Sequence, residues 1–382
     1  MIAMKRFFVL IVFLGLVAVT AGYLFLDQNT SEQTGNTPAY SSNEDSVLKP
    51  TPSPKPSSTP AVQPSGVIPT SGTSKIAWMS DRDGNFEIYV RNPDGTGLKQ
   101  LTHTPGRIND IPEWTNSLPE WSVDGKKIFY SASNNIPVIL GGINAAYVMD
   151  ADGSNVKQIV NDVVYPDSSP DGAKIVFSRA VGQTSEREGG MPAFHIFIAD
   201  IDGTNIKDLT KEYNIGIHQY PLWSPDGKKI LFQALGGNPM GQHLFTINPD
   251  GTNLVQITRG GNMGYGDADW SPNGKRIAAG KITDPDDISK AQSLIVTMNA
   301  DGSDEVIIAR GPRDAAGKLC GLGDVSWSPD GTKIVYSSFQ GCLDGSETLD
   351  DIYIMNADGS NQKLFAGSSA TDRSPDWQPV PN

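Results

Sequence analysis

From about Lys75 to the C-terminus, apolar and polar positions alternate with a period of two in short runs, the pattern of strands that bury one face. Lys333-Ile-Val-Tyr-Ser and Asp351-Ile-Tyr-Ile-Met are typical, rich in the β-branched and aromatic residues that suit a pleated surface. Two turn sequences punctuate the runs. The first stands at Trp121-Ser-Val-Asp-Gly, Ser168-Ser-Pro-Asp-Gly, Trp223-Ser-Pro-Asp-Gly, Trp270-Ser-Pro-Asn-Gly and Trp327-Ser-Pro-Asp-Gly. The second ends in a glycine at Gly95, Gly153, Gly203, Gly251, Gly302 and Gly359, with 48 to 58 residues between neighbours. Each Asp-Gly or Asn-Gly supplies the positive φ that a tight hairpin needs, so these aspartates read as turn formers rather than metal ligands.

One four-stranded unit per repeat predicts an all-β fold, a six-bladed β-propeller with antiparallel blades. The first repeat begins midway, at Lys75-Ile-Ala-Trp-Met-Ser, and its missing strand stands at the far end, around Ser374-Pro-Asp-Trp377. The C-terminal strand is therefore expected to complete the first blade and leave no free edge. The tryptophans before the turns, and Trp78, Tyr130, Phe177, Phe232 and Tyr336 on the next strand, recur in register and predict packing between blades. Blade 3 has Ser168 at the tryptophan position and should pack more thinly there.

The segment Ser80-Asp-Arg-Asp-Gly-Asn-Phe-Glu-Ile-Tyr89, followed by Asn92-Pro-Asp-Gly-Thr, closely resembles the propeller repeat of the TolB-like family. The resemblance runs through all the repeats and implies the propeller architecture. It is less specific for activity, because related repeats occur in prolyl-oligopeptidase-type peptidases and oligogalacturonate lyases. TolB itself has a separate N-terminal α/β domain, whereas here other segments occupy that place, so the Tol partnership is not implied.

Those segments are of two kinds. Lys5 and Arg6 precede an uncharged run from Phe7 to Leu26, which at ~1.5 Å per residue reaches across a bilayer core. A transmembrane anchor over 1–26 is expected, with the positive flank in the cytoplasm and the body outside; a cleaved signal peptide is the competing reading. Residues 27–72 are Ser/Thr/Pro-rich and predict a disordered, semi-stiff stalk. The propeller takes 73–382. The body should be periplasmic or displayed at the cell surface, and secreted if the leader is removed.

The formal net charge of −13 excludes a cationic nucleic-acid surface and changes little else. Propeller geometry is more informative. Both Asp-Gly turns of a blade fall on one face, while every long insertion, such as Ser133–Asn144, Ala180–Pro192 and Phe339–Leu349, falls on the other. Binding loops on a rigid scaffold are thereby expected at the long-loop face. Near the central mouth, Tyr165, Tyr220, Asp267 and Asp324 lie three positions before the tryptophan site, and Glu120, Asp167, Asp269 and Asp376 lie one before it. Trp114, which either stacks on a ligand or tucks over blade 2, His218 and Tyr265 complete the candidate binding face.

Catalytic signatures are missing: no Gly-x-Ser-x-Gly elbow, His-Glu-x-x-His pair, Walker loop or Rossmann fingerprint occurs. No cofactor or metal ligand set is expected, although mouth carboxylates would accept a calcium ion. Cys320 and Cys342 flank one hairpin nearly symmetrically, which favours a disulfide outside the cytoplasm over two free thiols. The function these features predict is a monomeric, membrane-tethered scaffold that binds an envelope or extracellular protein, peptide or polysaccharide. The alternatives are a lyase or hydrolase acting on extracellular glycans, and a propeller that supports a partner enzyme.

Overall fold

The computed structural model describes residues 74–380, apart from 105–106, 109–110, 113–114, 134–143, 184–191, 214–216, 237–240, 261–262, 285–288, 314–316, 318, 340–349 and 368–369. The expected anchor and stalk, Trp114 and Cys342 lie outside the described residues. Among those described there is no helix, and hence none long and apolar enough to cross a membrane.

The strands pair into four-stranded antiparallel sheets, arranged as in a propeller. Thr115–Trp121, Lys127–Ser133, Asn144–Asp150 and Lys157–Asn161 make one. Val164–Ser168, Lys174–Gln183, Pro192–Asp200 and Lys207–Asp208 make the next. Two further sets of four, Ile217–Trp223 to Val255–Gln256 and Met263–Trp270 to Val306–Arg310, are joined through one parallel contact, Gln242 with Gly264. Gly321–Trp327 to Lys363–Ala366 follow. A further four-stranded sheet joins Ile76–Ser80, Glu87–Arg91 and Lys99–Gln100 to the C-terminal strand Asp372–Trp377, in the register Ile76 with Trp377 and Ser80 with Asp372, and a two-stranded ribbon pairs Arg107–Ile108 with Ile111–Pro112.

Local chemistry explains the hairpins. In the Ser328–Thr332 turn, the Asp330 carboxylate accepts from Ser328 Oγ at 2.6 Å and Thr332 N at 2.9 Å, while Lys333 N donates to Ser328 Oγ at 2.9 Å. The aspartate is thus consumed within its own turn. The second set of turns adds a constraint that the sequence pattern does not carry. Gly302 and Gly359 have φ of 84°, and a Cβ on either would stand 1.9 Å from the carbonyl oxygen of Ile257 or Ile308 on the preceding sheet. These glycines serve the turn and also the approach of one sheet to the next.

The core is a series of seams between sheets. Ala278, Ile295 and Ala309 of one sheet pack with Trp327, Ile334 and Tyr336 of the next. Ile76, Trp78 and Trp377 pack in the same way with Val335, Ile352 and Phe365, which joins the first sheet to the last. Trp121, Trp223, Trp270, Trp327 and Trp377 are all 4–9% exposed, as inter-sheet packing requires. At Ser168 the corresponding seam is filled by Phe129, Val160, Ile175 and Phe177 instead.

Candidate binding site at the channel mouth

The innermost strand of every sheet carries the same irregularity. Its pairing register slips by one residue, and a non-glycine residue there has positive φ: Leu118 (56°), Tyr165 (58°), Tyr220 (53°), Asp267 (46°), Asp324 (46°) and Ser374 (50°). Such a bulge re-aims a side chain and ends the regular ladder. A bulky residue in this region is strained, and strain of this kind persists only where the surroundings fix it. Here the bulged residues turn inward and line one cavity of about 70 Å³, space for a few water molecules.

The cavity has two tiers. The upper one is divided: Leu118, Tyr165 and Tyr220 form an apolar and aromatic side, while Asp267, Asp324 and Ser374 form a polar one. The rings of Tyr165 and Tyr220 lie 3.9 Å apart between centroids, tilted by 32°, and their hydroxyls hydrogen-bond to each other. Two residues further along each strand, Glu120, Asp167, Leu222, Asp269, Ser326 and Asp376 form the lower tier.

Much of the lower tier is structural. Asp167 accepts the Trp223 N–H at 2.7 Å, Asp269 that of Trp327 at 2.7 Å, and Asp376 that of Trp121 at 2.6 Å. Ser326 Oγ accepts from Trp377 N at 3.1 Å and donates to Asp376 Oδ1 at 3.0 Å. Each carboxylate latches its strand to the next sheet around the channel. The upper tier repeats the device, where Asp324 Oδ2 accepts the Ser374 N–H at 3.0 Å and Asp267 accepts the backbone N–H of Asp324. Glu120 is different: none of the hydrogen bonds seen here reaches its carboxyl group, although it lines the same cavity.

Among the described residues no lysine, arginine or histidine lines this cavity, although Arg373, behind it, acts on Asp324 and opposes its shift. Burial is the first cause of the carboxyl groups' shifted acidity. It lifts Asp376 to about 6, Asp167 to about 7 and Asp269 to about 8, with the backbone N–H donors opposing it. Glu120 is raised well above the usual range by burial and then by Asp376 and Asp167; Asp267 is raised by burial and then by Asp324. Among the described residues, no three His, Cys, Asp or Glu side chains converge as a metal-ligand set.

Tyr165, Tyr220, Asp267 and Asp324 therefore share one cavity; of the other three singled-out residues Trp114 lies outside the described residues, and Tyr265 and His218 stand elsewhere. Tyr265, 2% exposed, packs within a sheet and donates its hydroxyl to Glu305 Oε2 at 2.6 Å. His218, 1% exposed, places Nδ1 2.8 Å from Thr210 Oγ1 and stacks 5.4 Å from His195, whose Nδ1 lies 2.7 Å from Asp208 Oδ2. Burial pushes His218 down to about 3, so it is a neutral packing residue at ordinary pH. Leu118, Leu222, Ser326 and Ser374 belong to the cavity but were absent from the sequence reading. Counting three and one positions back from every tryptophan, rather than looking for polar or aromatic residues there, would have found all four. Cys320 is fully buried, and no free cysteine is present among the described residues.

Comparison with known proteins agrees with this fold. Residues 163–381 match the TolB beta propeller domain, PD40. TolB from Acinetobacter baumannii is structurally similar with a TM-score of 0.62 at 19% identity, over 82% of this chain and 68% of that one. A putative TolB from Agrobacterium tumefaciens gives 0.51 at 19% identity, over 81% and 99%. At these identities the likeness is one of fold. Dipeptidyl-peptidase 5 of Porphyromonas gingivalis is 32% identical over 247 residues, 55% of this chain and 35% of that protein. The chain thus spans about a third of that relative's length.

Proposed function

Because the chain belongs to the TolB beta propeller domain family, we propose that it is a membrane-tethered, extracytoplasmic binding scaffold. Its six blades present the channel mouth to a protein, peptide or polysaccharide of the envelope. The observation that carries this reading is the mouth itself. Six strained bulges, each on the innermost strand of a separate four-stranded set, deliver side chains to one cavity whose upper tier is aromatic on one side and acidic on the other. Strain repeated six times around a cavity is expected where a rigid body is built to hold a ligand.

In this reading residues 1–26 anchor the chain, 27–72 hold the body off the bilayer, and 73–382 form a monomeric propeller. Trp114 belongs to the rim of the same face. A Cys320–Cys342 disulfide closes an inserted loop on that rim, consistent with the buried Cys320. Co-purification of the full-length chain from intact membranes tests the proposal. A variant carrying Tyr165→Ser, Tyr220→Leu and Asp267→Asn should lose the ligand that the parent retains. Equal retention by both would remove the mouth from the account.

The similarity to dipeptidyl-peptidase 5 favours one second reading, a propeller that supports a partner enzyme. Peptidase activity that co-purifies with the chain and survives the triple substitution would distinguish it.

A further inference from the structure

The mouth holds an arrangement whose two halves call for the same ligand. On the acidic side stand Asp267 and Asp324, with Glu120 below them, and among the described residues no basic side chain lines the space they share. Glu120 is the most telling of the three. Asp167, Asp269 and Asp376, its neighbours in the lower tier, each accept a tryptophan N–H. None of the bonds seen here gives Glu120 such a donor, and its half-buried carboxyl group opens on the cavity. A carboxyl group so placed keeps water as its partner until a ligand brings a donor to it.

Opposite stands the tilted ring pair of Tyr165 and Tyr220. Aromatic faces attract cations, and they suit a side-chain cation, whose apolar stem or guanidinium plane packs on the rings, better than a small hydrated metal ion. The carboxylate geometry points the same way. Six carboxyl groups line the cavity, yet no three of them converge at coordination distance, whereas a calcium ion takes six to eight oxygen ligands. A space of about 70 Å³ admits the end of one side chain.

We propose that the mouth captures a single organic cation, the ammonium of a lysine or the guanidinium of an arginine, projecting from a protein segment that lies across the long-loop face. Asp267, Asp324 and Glu120 take its hydrogen bonds, and Tyr165 and Tyr220 cover its apolar stem. This inference rests on the reading of the mouth as the binding site and specifies what enters it. Because the cation replaces protons held by Glu120, Asp167, Asp267, Asp269, Asp324 and Asp376, its binding releases protons. The charged groups behind this set are Arg373 and Asp350, already paired with each other.

Calorimetric titration of the full-length chain in detergent micelles tests the inference. The probes are N-acetyl-lysine methylamide, its arginine counterpart, the neutral norleucine isostere, calcium chloride and a glucosamine dimer. The expected result is saturable binding of the lysine or arginine probe, with none for norleucine. Its measured heat should vary with the ionisation enthalpy of the buffer, the mark of proton release. Asp267→Asn should weaken that binding roughly tenfold or more, the scale of one lost charged partner. Asparagine tolerates positive φ, so this variant keeps the bulge. Tyr220→Leu should weaken it less, and Leu118 already shows that leucine fits this conformation. Equal binding of norleucine, saturation by calcium or the glucosamine dimer alone, no binding of either cationic probe, or binding indifferent to Asp267→Asn would each overturn the proposal. Loss of the membrane ligand in the triple variant, together with failure of the cationic probes, would leave the mouth as the site and remove only its cation.

Discussion

A single carboxylate in the lower tier does two jobs, and they can be separated. Asp167 fixes the Trp223 backbone N–H and also contributes charge to the channel. Below its shifted value of about 7 the side chain is neutral, so Asp167→Ala there removes the acceptor alone. Chemical denaturation at mildly acidic pH should show a loss of about 1–3 kcal/mol, with Asp167→Asn close to the parent because it keeps an oxygen. An unchanged alanine variant would show that the latch does not stabilise the seam. The raised values also set a pH trend. Folded Asp376, Asp167 and Asp269 hold their protons up to about 6, 7 and 8, against an ordinary 3.8, so the native state binds more protons than the unfolded chain between these limits. Their contribution is complete below 3.8 and is lost as pH rises toward 8. Asp269→Asn should flatten the fall in unfolding midpoint across this window, and an equally steep fall in that variant would contradict the assignment. At this scale the sequence was readable by position. The repeat register pointed to the mouth residues, whereas the latch partners were hidden, because a bond from Asp167 to Trp223 depends on how neighbouring sheets are set.

At the scale of the strand, alternation identified the elements but not the bulge. A period-two reading has no place for one extra residue, and the usual marker of positive φ, glycine, is absent from all six positions. The consequence is measurable at Asp267, whose φ of 46° a β-branched residue cannot adopt without strain. Asp267→Val should lower stability by about 1–3 kcal/mol in thermal or urea unfolding, while Asp267→Asn stays near the parent. Equal behaviour of the two would mean that the bulge is not needed. The second turns show the converse. Their glycines were legible from φ alone, but the 1.9 Å clash that a Cβ at Gly302 would make with Ile257 O arises only when two sheets meet. The sequence places His218 and Tyr265 on the binding face. Both are buried: His218 packs against His195, and Tyr265 donates its hydroxyl to Glu305.

For the whole molecule, closure governs stability. The Asp372–Trp377 strand pairs with Ile76–Ser80, and Asp372 Oδ1 accepts from Trp78 Nε1 at 2.9 Å and Arg82 Nη2 at 2.7 Å. Removing residues 372–382 exposes the Ile76 edge, deletes Asp376 and its bond to Trp121, and empties the Trp377 position of the seam. The truncated chain should lose its single cooperative unfolding transition and aggregate; a parent-like transition would disprove closure by this strand. This long-range pairing was legible because the repeat begins one strand short and ends one strand over. What occupies the mouth was not, because no repeat register encodes a ligand.

The central claim is that this protein binds its ligand at the channel mouth, and cross-linking compares the two faces directly. A photoreactive amino acid is placed at Tyr220, in the mouth, or at Lys228, on the opposite hairpin face, in the full-length chain in its native membrane. Irradiation should give a discrete adduct from position 220 and none from position 228. An adduct confined to position 228, or equal adducts from both, would contradict the account.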